Sequence, residues 1–236
     1  MPELPEVEAV VARARRVAKG RTIKEVEVLR QSAVRPQAPA LVARLATNRR
    51  IEDVRRRGKN ILIGLAGGFT IRIHLKLNGE LHAGEVNRSS RVVLHLSGSK
   101  KLVFDEPRAL GTLNVFEPAE LAKALAGLGP EPLSREFTAD GFVKAASASR
   151  LPAKLFLMDQ KRVAGVGNVY AAEALFRAGI HPAKPMNKLS ADKARELYDA
   201  IRYVLREAVK SAKITYNRPG KHEAAELPRA VYRREG

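Results

Sequence analysis

The feature that most constrains this chain is a change of period along it. Before about residue 126, apolar residues recur at alternate positions in short runs: TIKEVEVLR, RIEDVRRR, KNILIGL, TIRIHLKL, RVVLHL and KLVFDE. Breaks such as Gly67-Gly68, Asn78-Gly79 and Gly98 separate them. Alternation of this kind predicts half-buried strands joined by turns. Gly, Pro and Ser then cluster in GLGPEPLS, ending at residue 134. Beyond it the apolar spacing becomes helical, over residues 136–149, 152–160, 168–178 and 190–212. The expected fold class is α+β: an N-terminal β-sandwich domain, residues 1–129, followed by a helical domain, residues 130–236, with a cleft between them.

Two helices interrupt that order. A short one is expected from about Pro118. The other opens the chain, where PEVEAVVARARRVAKG places Val7, Val10, Val11, Ala14 and Val17 on one stripe. Pro5 suits its first turn, Glu6 and Glu8 suit its positive end, and Lys19-Gly20 closes it. The first residues of the chain are therefore held against a core element.

The formal net charge is +18, and both halves of the chain share the excess. An even spread suits a folded body that binds a polyanion, and nucleic acid is the expected partner. Aromatic residues make up only 5% and Trp is absent, which disfavours a base-stacking single-strand platform and favours duplex. With no Cys and only five His, disulfides and thiolate metal sites are excluded and no metal site is expected. No apolar run approaches the roughly 20 residues that span a bilayer, and no secretory signal is legible. A monomeric cytoplasmic, nucleoid-associated protein is expected.

Four stretches carry chemistry. In the first, removal of Met1 would leave Pro2 as a free secondary amine. An α-amino group titrates near ~8 and a Lys side chain near ~10.4, so roughly a tenth of the former is unprotonated at neutral pH. Attack of such an amine on a sugar aldehyde carbon gives an iminium that stays cationic without a proton. Glu3 is placed to supply the proton that opens a sugar ring, and Glu6 to hold the pair. Helix capping by these carboxylates is an equal alternative on spacing alone.

The second stretch is MDQKRVAGVGNVYAAEALFRAGIHP, residues 158–182. Helical patterns flank AGVGN. Gly165 and Gly167 clear the turn and Asn168 is expected to cap the following helix, leaving backbone amides free for a phosphate. An ordinary helical hairpin is the plainer reading. The third is RRRGKNILIGL, a solvated charge run in which Lys59, after Gly58, is singled out for a phosphate. The fourth pairs IHLKLNGEL with FDEPRALGTL, where Leu77 and Leu110 sit in turns with Arg108 nearby. Apolar wedges beside an Arg unstack or replace a base, although hairpin packing explains them equally well in isolation.

Taken in order, MPELPEVE, RRGK, HLKLNGEL, DEPRALG, LGPEPL and DQKRVAGVGNVYAAEALFRAGIHP closely resemble the bacterial formamidopyrimidine-DNA glycosylases of the Fpg/Nei family. The resemblance spans nearly the whole chain. It implies a β-sandwich followed by a helix–two-turns–helix domain and a zinc finger, and excision of oxidised purines (8-oxoguanine, formamidopyrimidines) from duplex DNA, followed by β,δ-elimination at the abasic site. It implies Pro2 as nucleophile, Glu3 as acid, Glu6 as supporting carboxylate and Lys59 at the phosphate beside the lesion. Contacts to DNA would come from Lys59, His74, Gly167 and Asn168, with Leu77, Arg108 and Leu110 where the family usually has Met, Arg and Phe.

The finger would begin after AVYRREG, where this sequence ends, and the chain has no Cys. A truncated form or a fingerless member is expected, with no zinc and no other cofactor. The stretch TYNRPGKHEAAELP is shorter than the loop that covers the flipped base in many members. Two rival functions remain: a non-catalytic binder of damaged duplex, and an enzyme for oxidised pyrimidines, against which MPELPEV argues because that branch more often begins MPEGPE.

Overall fold

The computed structural model describes residues 1–216 and 230–231. Helix α1 (Leu4–Ala18) opens the chain, followed by β1 (Ile23–Val28) and α2 (Pro39–Ala46). Then come β2 (Ile51–Arg57), β3 (Asn60–Leu65), β4 (Thr70–His74), β5 (Glu80–His82), β6 (Ser90–Leu96), β7 (Lys100–Asp105) and β8 (Thr112–Phe116). The helical part comprises α3 (Pro118–Leu125), α4 (Ala139–Ser147), α5 (Ala153–Met158), α6 (Asn168–Arg177) and α7 (Ala191–Tyr216).

Two antiparallel four-stranded sheets form, ordered β1-β6-β7-β5 and β2-β3-β4-β8. The alternation in the sequence sorts side chains between their faces. Ile61, Ile63, Ile71, Ile73, Leu113 and Val115 from one sheet join Val92, Leu94, Leu102, Phe104 and Leu81 from the other in one core. The apolar stripe of α1 is buried, and the helix packs against β2 on one side and α7 on the other. It thereby ties the sandwich to the helical part.

The six expected strand segments and the helices are present with small shifts in their bounds, but three elements went unforeseen. Strands β5 and β8 and helix α2 are only three, five and eight residues long. The three residues of β5 are too few to show a period.

A second difference concerns Leu77 and Leu110, whose turns are not hairpins. Residues 75–79 cross from β4 in one sheet to β5 in the other, and residues 106–111 return from β7 to β8. Both crossings begin and end at paired residues, His74↔Thr112 and Glu80↔Asp105. They therefore emerge side by side at one end of the sandwich.

Candidate active site and nucleic-acid interface

Glu3 is the residue just before α1, only 2% exposed. Its backbone N–H donates to Glu6 Oε2 at 2.9 Å, so Glu6 caps its own helix. The Glu3 side chain closes a capping box with the Glu6 amide and also reaches beyond its own helix. Its carboxylate accepts from the amides of Gly167 (2.7 Å), Val169 (2.9 Å) and Tyr170 (3.4 Å), at the start of α6. Glu6 Oε1 accepts from the Tyr170 hydroxyl at 2.6 Å, and the Leu4 amide donates to the Gly165 carbonyl at 3.0 Å. Carboxylates from one helix start thus anchor the positive end of another.

This overturns the capping expected of AGVGN. The residue preceding α6 is Gly167 and Asn168 is the first residue inside the helix. The Gly167 amide is donated to Glu3, so it is not available to a phosphate as expected. The Asn168 side chain is half-buried and has no hydrogen-bond partner among the described residues, and it remains the polar group that this turn offers outward. The need for glycine is steric. A Cβ on Gly167 would lie 2.5 Å from Glu3 Cδ and 2.7 Å from Lys59 Nζ, and one on Gly165, at φ +92°, would lie 2.9 Å from Leu4 Cβ. No other residue allows α6 to approach this closely.

Lys59 enters β3 from the Gly58 turn and is 6% exposed. Burial pushes its ammonium below the usual Lys range, against the pull of Glu3 and Glu6. Burial likewise raises the Glu3 carboxyl above the ordinary range; the Val169 amide and Lys59 oppose the shift, and Glu6 adds to it. Burial thus draws the proton affinities of the acid and the amine toward each other in one dry site. Pro2 is half-buried beside them, at the entrance to α1.

His74, at the end of β4, is held neutral to about 4, first by burial and then by the positive charges of Lys76, Lys59 and Arg72. Its Nδ1 accepts from the Lys76 amide at 3.0 Å. The crossing loops beyond it expose Leu77 (39%) and Leu110 (47%), with Arg108 exposed between Pro107 and Ala109. The structure thus gathers Pro2, Glu3, Glu6, Lys59, Gly167 and Asn168 at the junction of α1 and α6. Leu77, Arg108 and Leu110 lie on the two crossings beside His74.

Three residues that shape this region went unnoticed in the sequence. Tyr170 braces Glu6. Glu106 is fully buried and accepts from the Leu110 amide at 2.6 Å, which fixes the root of that loop. Glu131 accepts from Arg56, Arg57 and the Gly58 amide, pinning the connecting segment to the turn that presents Lys59. The run of three arginines is a signal for the last, because buried cations need a partner. The others depend on contacts between distant parts of the chain, for which no local pattern exists.

Comparison with known proteins decides the lineage. Residues 1–113 match the family model of the formamidopyrimidine-DNA glycosylase N-terminal domain, and residues 128–219 match that of the formamidopyrimidine-DNA glycosylase H2TH domain. A formamidopyrimidine-DNA glycosylase of Thermus thermophilus is 40% identical over 100% of this chain and 88% of its own length. The chain belongs to the formamidopyrimidine-DNA glycosylase family. The crystal structure of the MutM (Fpg) protein from Thermus thermophilus superposes with a TM-score of 0.81 at 40% identity, covering 89% of this chain and 76% of that one. The Lactococcus lactis glycosylase bound non-covalently to abasic-site DNA gives a TM-score of 0.84 at 26% identity, over 89% and 82%. Membership places the chain among DNA glycosylases of base-excision repair.

The zinc that the resemblance implies finds no home in these residues. The chain has no Cys, and the described residues contain no group of three His, Cys, Asp or Glu placed to hold a metal ion. Residues 217–229 and 232–236, which include most of the stretch compared with the lesion-covering loop and the approach to the finger, lie outside the described residues. Among the described residues no helix is long and apolar enough to cross a membrane.

Proposed function

We propose that this glycosylase removes oxidised purines from duplex DNA and then cleaves the strand at the abasic site, using Pro2 as its nucleophile once Met1 has been removed. The observation that carries the reading is the buried group of Glu3, Glu6 and Lys59 around the entrance to α1, where Pro2 stands. A secondary amine there attacks C1′ of the flipped nucleotide. The C1′–base bond breaks, the base leaves with the bonding pair and gains a proton, and the sugar ring opens as Glu3 delivers a proton to its oxygen. The product is an iminium between Pro2 and C1′. Its positive nitrogen acidifies the C2′–H bond, so loss of that proton expels the 3′ phosphate, and loss of the C4′ proton then expels the 5′ phosphate.

DNA is held by charge. The +18 chain supplies the long-range attraction. Lys59 and Asn168 engage the phosphates flanking the extruded nucleotide, and His74 lines the same edge. Leu77, Arg108 and Leu110 fill the space that the nucleotide leaves. The reaction needs no metal or organic cofactor, and the protein acts as a monomer. The abasic-site DNA bound by the Lactococcus lactis relative supports this substrate class.

The test is covalent trapping. Sodium borohydride reduces an iminium to a stable amine, so the chain lacking Met1 is expected to cross-link to an abasic-site duplex, with its N-terminus blocked to sequencing. Retaining Met1 should abolish the adduct. An intact chain that binds the duplex and gives no adduct would overturn the catalytic reading in favour of a binding-only protein.

A further inference from the structure

The sheet β2-β3-β4-β8 has a second face, turned away from the core. Register places Arg55, Leu62, Arg72 and Asn114 in one row across it, and Asp53, Gly64, Thr70 and Phe116 in the next. Leu62 and Asn114 are buried, Asn114 under the Val34 and Arg35 carbonyls, so the open part of the face lies toward Arg55, Gly64 and Arg72. Arg72 is half-buried, yet its Nε is shielded from solvent with no acceptor among the described residues. Burial lowers its pKa. Its guanidinium lies 4.9 Å from the centroid of the Phe116 ring, one row over. Arg55 Nη1 leans over the same row, 3.6 Å from where a Gly64 Cβ would sit. Thr70, only 4% exposed, lies between these positions in the register, and Gly64 adds no side chain there. Asp53, the one acid in these two rows, is already paired with Arg15 at 3.3 Å.

A shielded guanidinium nitrogen without an acceptor costs stability, and an aromatic ring offsets only part of that cost. Two cations aimed at one uncompensated row are what an anion site requires. On β4, Thr70, Arg72 and His74 share this side of the strand, spaced by about 6.7 Å per pair of residues. The row at Thr70 is therefore about 13 Å from His74, the span of roughly four base steps at 3.4 Å each.

We propose that Arg55 and Arg72 form a phosphate cradle beside Gly64 that grips the backbone of the bound duplex up to about four nucleotides from the lesion. The inference rests on the DNA reading given above and extends its interface along the outer face of the sheet. The cradle supplies grip remote from the catalytic group, and it is maintained in the free protein at the expense of stability.

The experiment measures affinity of the full chain, as a function of salt, for a duplex carrying a tetrahydrofuran abasic analogue. Arg72→Met is expected to weaken binding and flatten the slope of log K against log salt by about one unit, and Arg55→Gln to do the same. Arg72→Lys should restore the slope. Because the buried charge goes, Tm of Arg72→Met should hold or rise by a few degrees. On a duplex with only two base pairs flanking the analogue, the difference between Arg72→Met and wild type should vanish.

Wild-type binding with an unchanged slope in both variants would overturn the cradle and leave the proposed function standing. Failure of the wild type to bind any abasic duplex would instead overturn the function. If inorganic phosphate raises Tm of the wild type but not of Arg72→Met, while the DNA slope is unchanged, the site serves a free anion and the backbone assignment is wrong. A lower Tm with binding that Arg72→Lys does not rescue would make Arg72 a structural residue and would equally overturn it.

Discussion

The junction of α1 and α6 and the pair of crossing loops beside His74 solve opposite problems. At the junction the two carboxylates named for catalysis are engaged before any substrate arrives: Glu3 by three amides, Glu6 by Tyr170 and by the Glu3 amide. On the loops the named side chains stand in solvent, with Leu77 and Leu110 exposed and Arg108 without a partner among the described residues. The chemistry is preorganised, so little reorganisation is left for the moment of reaction. In the proposed function these loop residues are left unsatisfied for DNA to complete. Substitutions in the two regions should therefore fail differently, and the largest effects belong to the junction.

Glu3→Gln gives the sharpest contrast. Loss of the proton donor is expected to slow release of a damaged base by about 10²–10⁴-fold in single-turnover measurements, while affinity for an abasic analogue changes far less. An equal loss in both would show that Glu3 serves only to hold two helices together. The comparison between a catalytic junction and a reading loop would then collapse.

His74 lies where the two regions meet, and its effect is one of pH. An ordinary His takes its proton near 6.5, whereas His74 resists until about 4 because it is buried among Lys76, Lys59 and Arg72. Between those values the unfolded chain carries the proton and the folded chain does not. Stability from this residue is thus present at neutral pH and is lost as pH falls from 6.5 through 4, by roughly 3 kcal/mol at most. In His74→Gln the urea midpoint should depend less on pH across that window. An identical pH dependence would mean that His74 is charged in the native protein and belongs with the solvated loops.

Gly167→Ala tests how tightly the junction is built. Its new methyl would meet Glu3 Cδ and Lys59 Nζ, at a cost of about 1–3 kcal/mol in stability. Gly127→Ala is the control, since nothing lies within 4 Å of a Cβ there, and its change should stay within about 0.5 kcal/mol. If the two variants melt alike, the close approach of α6 to Glu3 is looser than the structure shows.

The same contrast explains what could be read from the sequence. The period change located the strands and helices because apolar alternation is local information. Pro2, Glu3, Glu6 and Lys59 stood out because their types and positions suit a reaction, Asn168 because it follows a glycine turn, and the motifs that resemble a known family added His74. The partners of Glu3 were hidden, since residues 3 and 167 meet only after the helical part docks on α1. Capping was assigned to Asn168 for the same reason: Asn next to Gly is a good local cap, and the cap that won comes from the far end of the chain. Glu106 and Tyr170 read locally as an exposed-type acid and a core ring, and only the packed structure shows the Leu110 amide and the Glu6 carboxylate against them.

The smallest expected effect on stability belongs to Leu110→Ala. Leu110 is about half exposed and the loop that carries it is anchored through its backbone amide to Glu106, a bond that alanine keeps. Stability should therefore change by no more than about 0.5 kcal/mol. The wedge role proposed for it would appear only when a nucleotide must leave the stack, which costs a few kcal/mol that a wedge in the vacated space helps to offset. A preformed abasic site has already lost its base and part of that cost. Release of an intact damaged base should accordingly slow by about tenfold, while cleavage of the abasic duplex stays near wild type. Equal slowing on both substrates would show that Leu110 supports the chemistry as the junction does. The division between a satisfied catalytic centre and an unsatisfied reading edge would then be drawn in the wrong place.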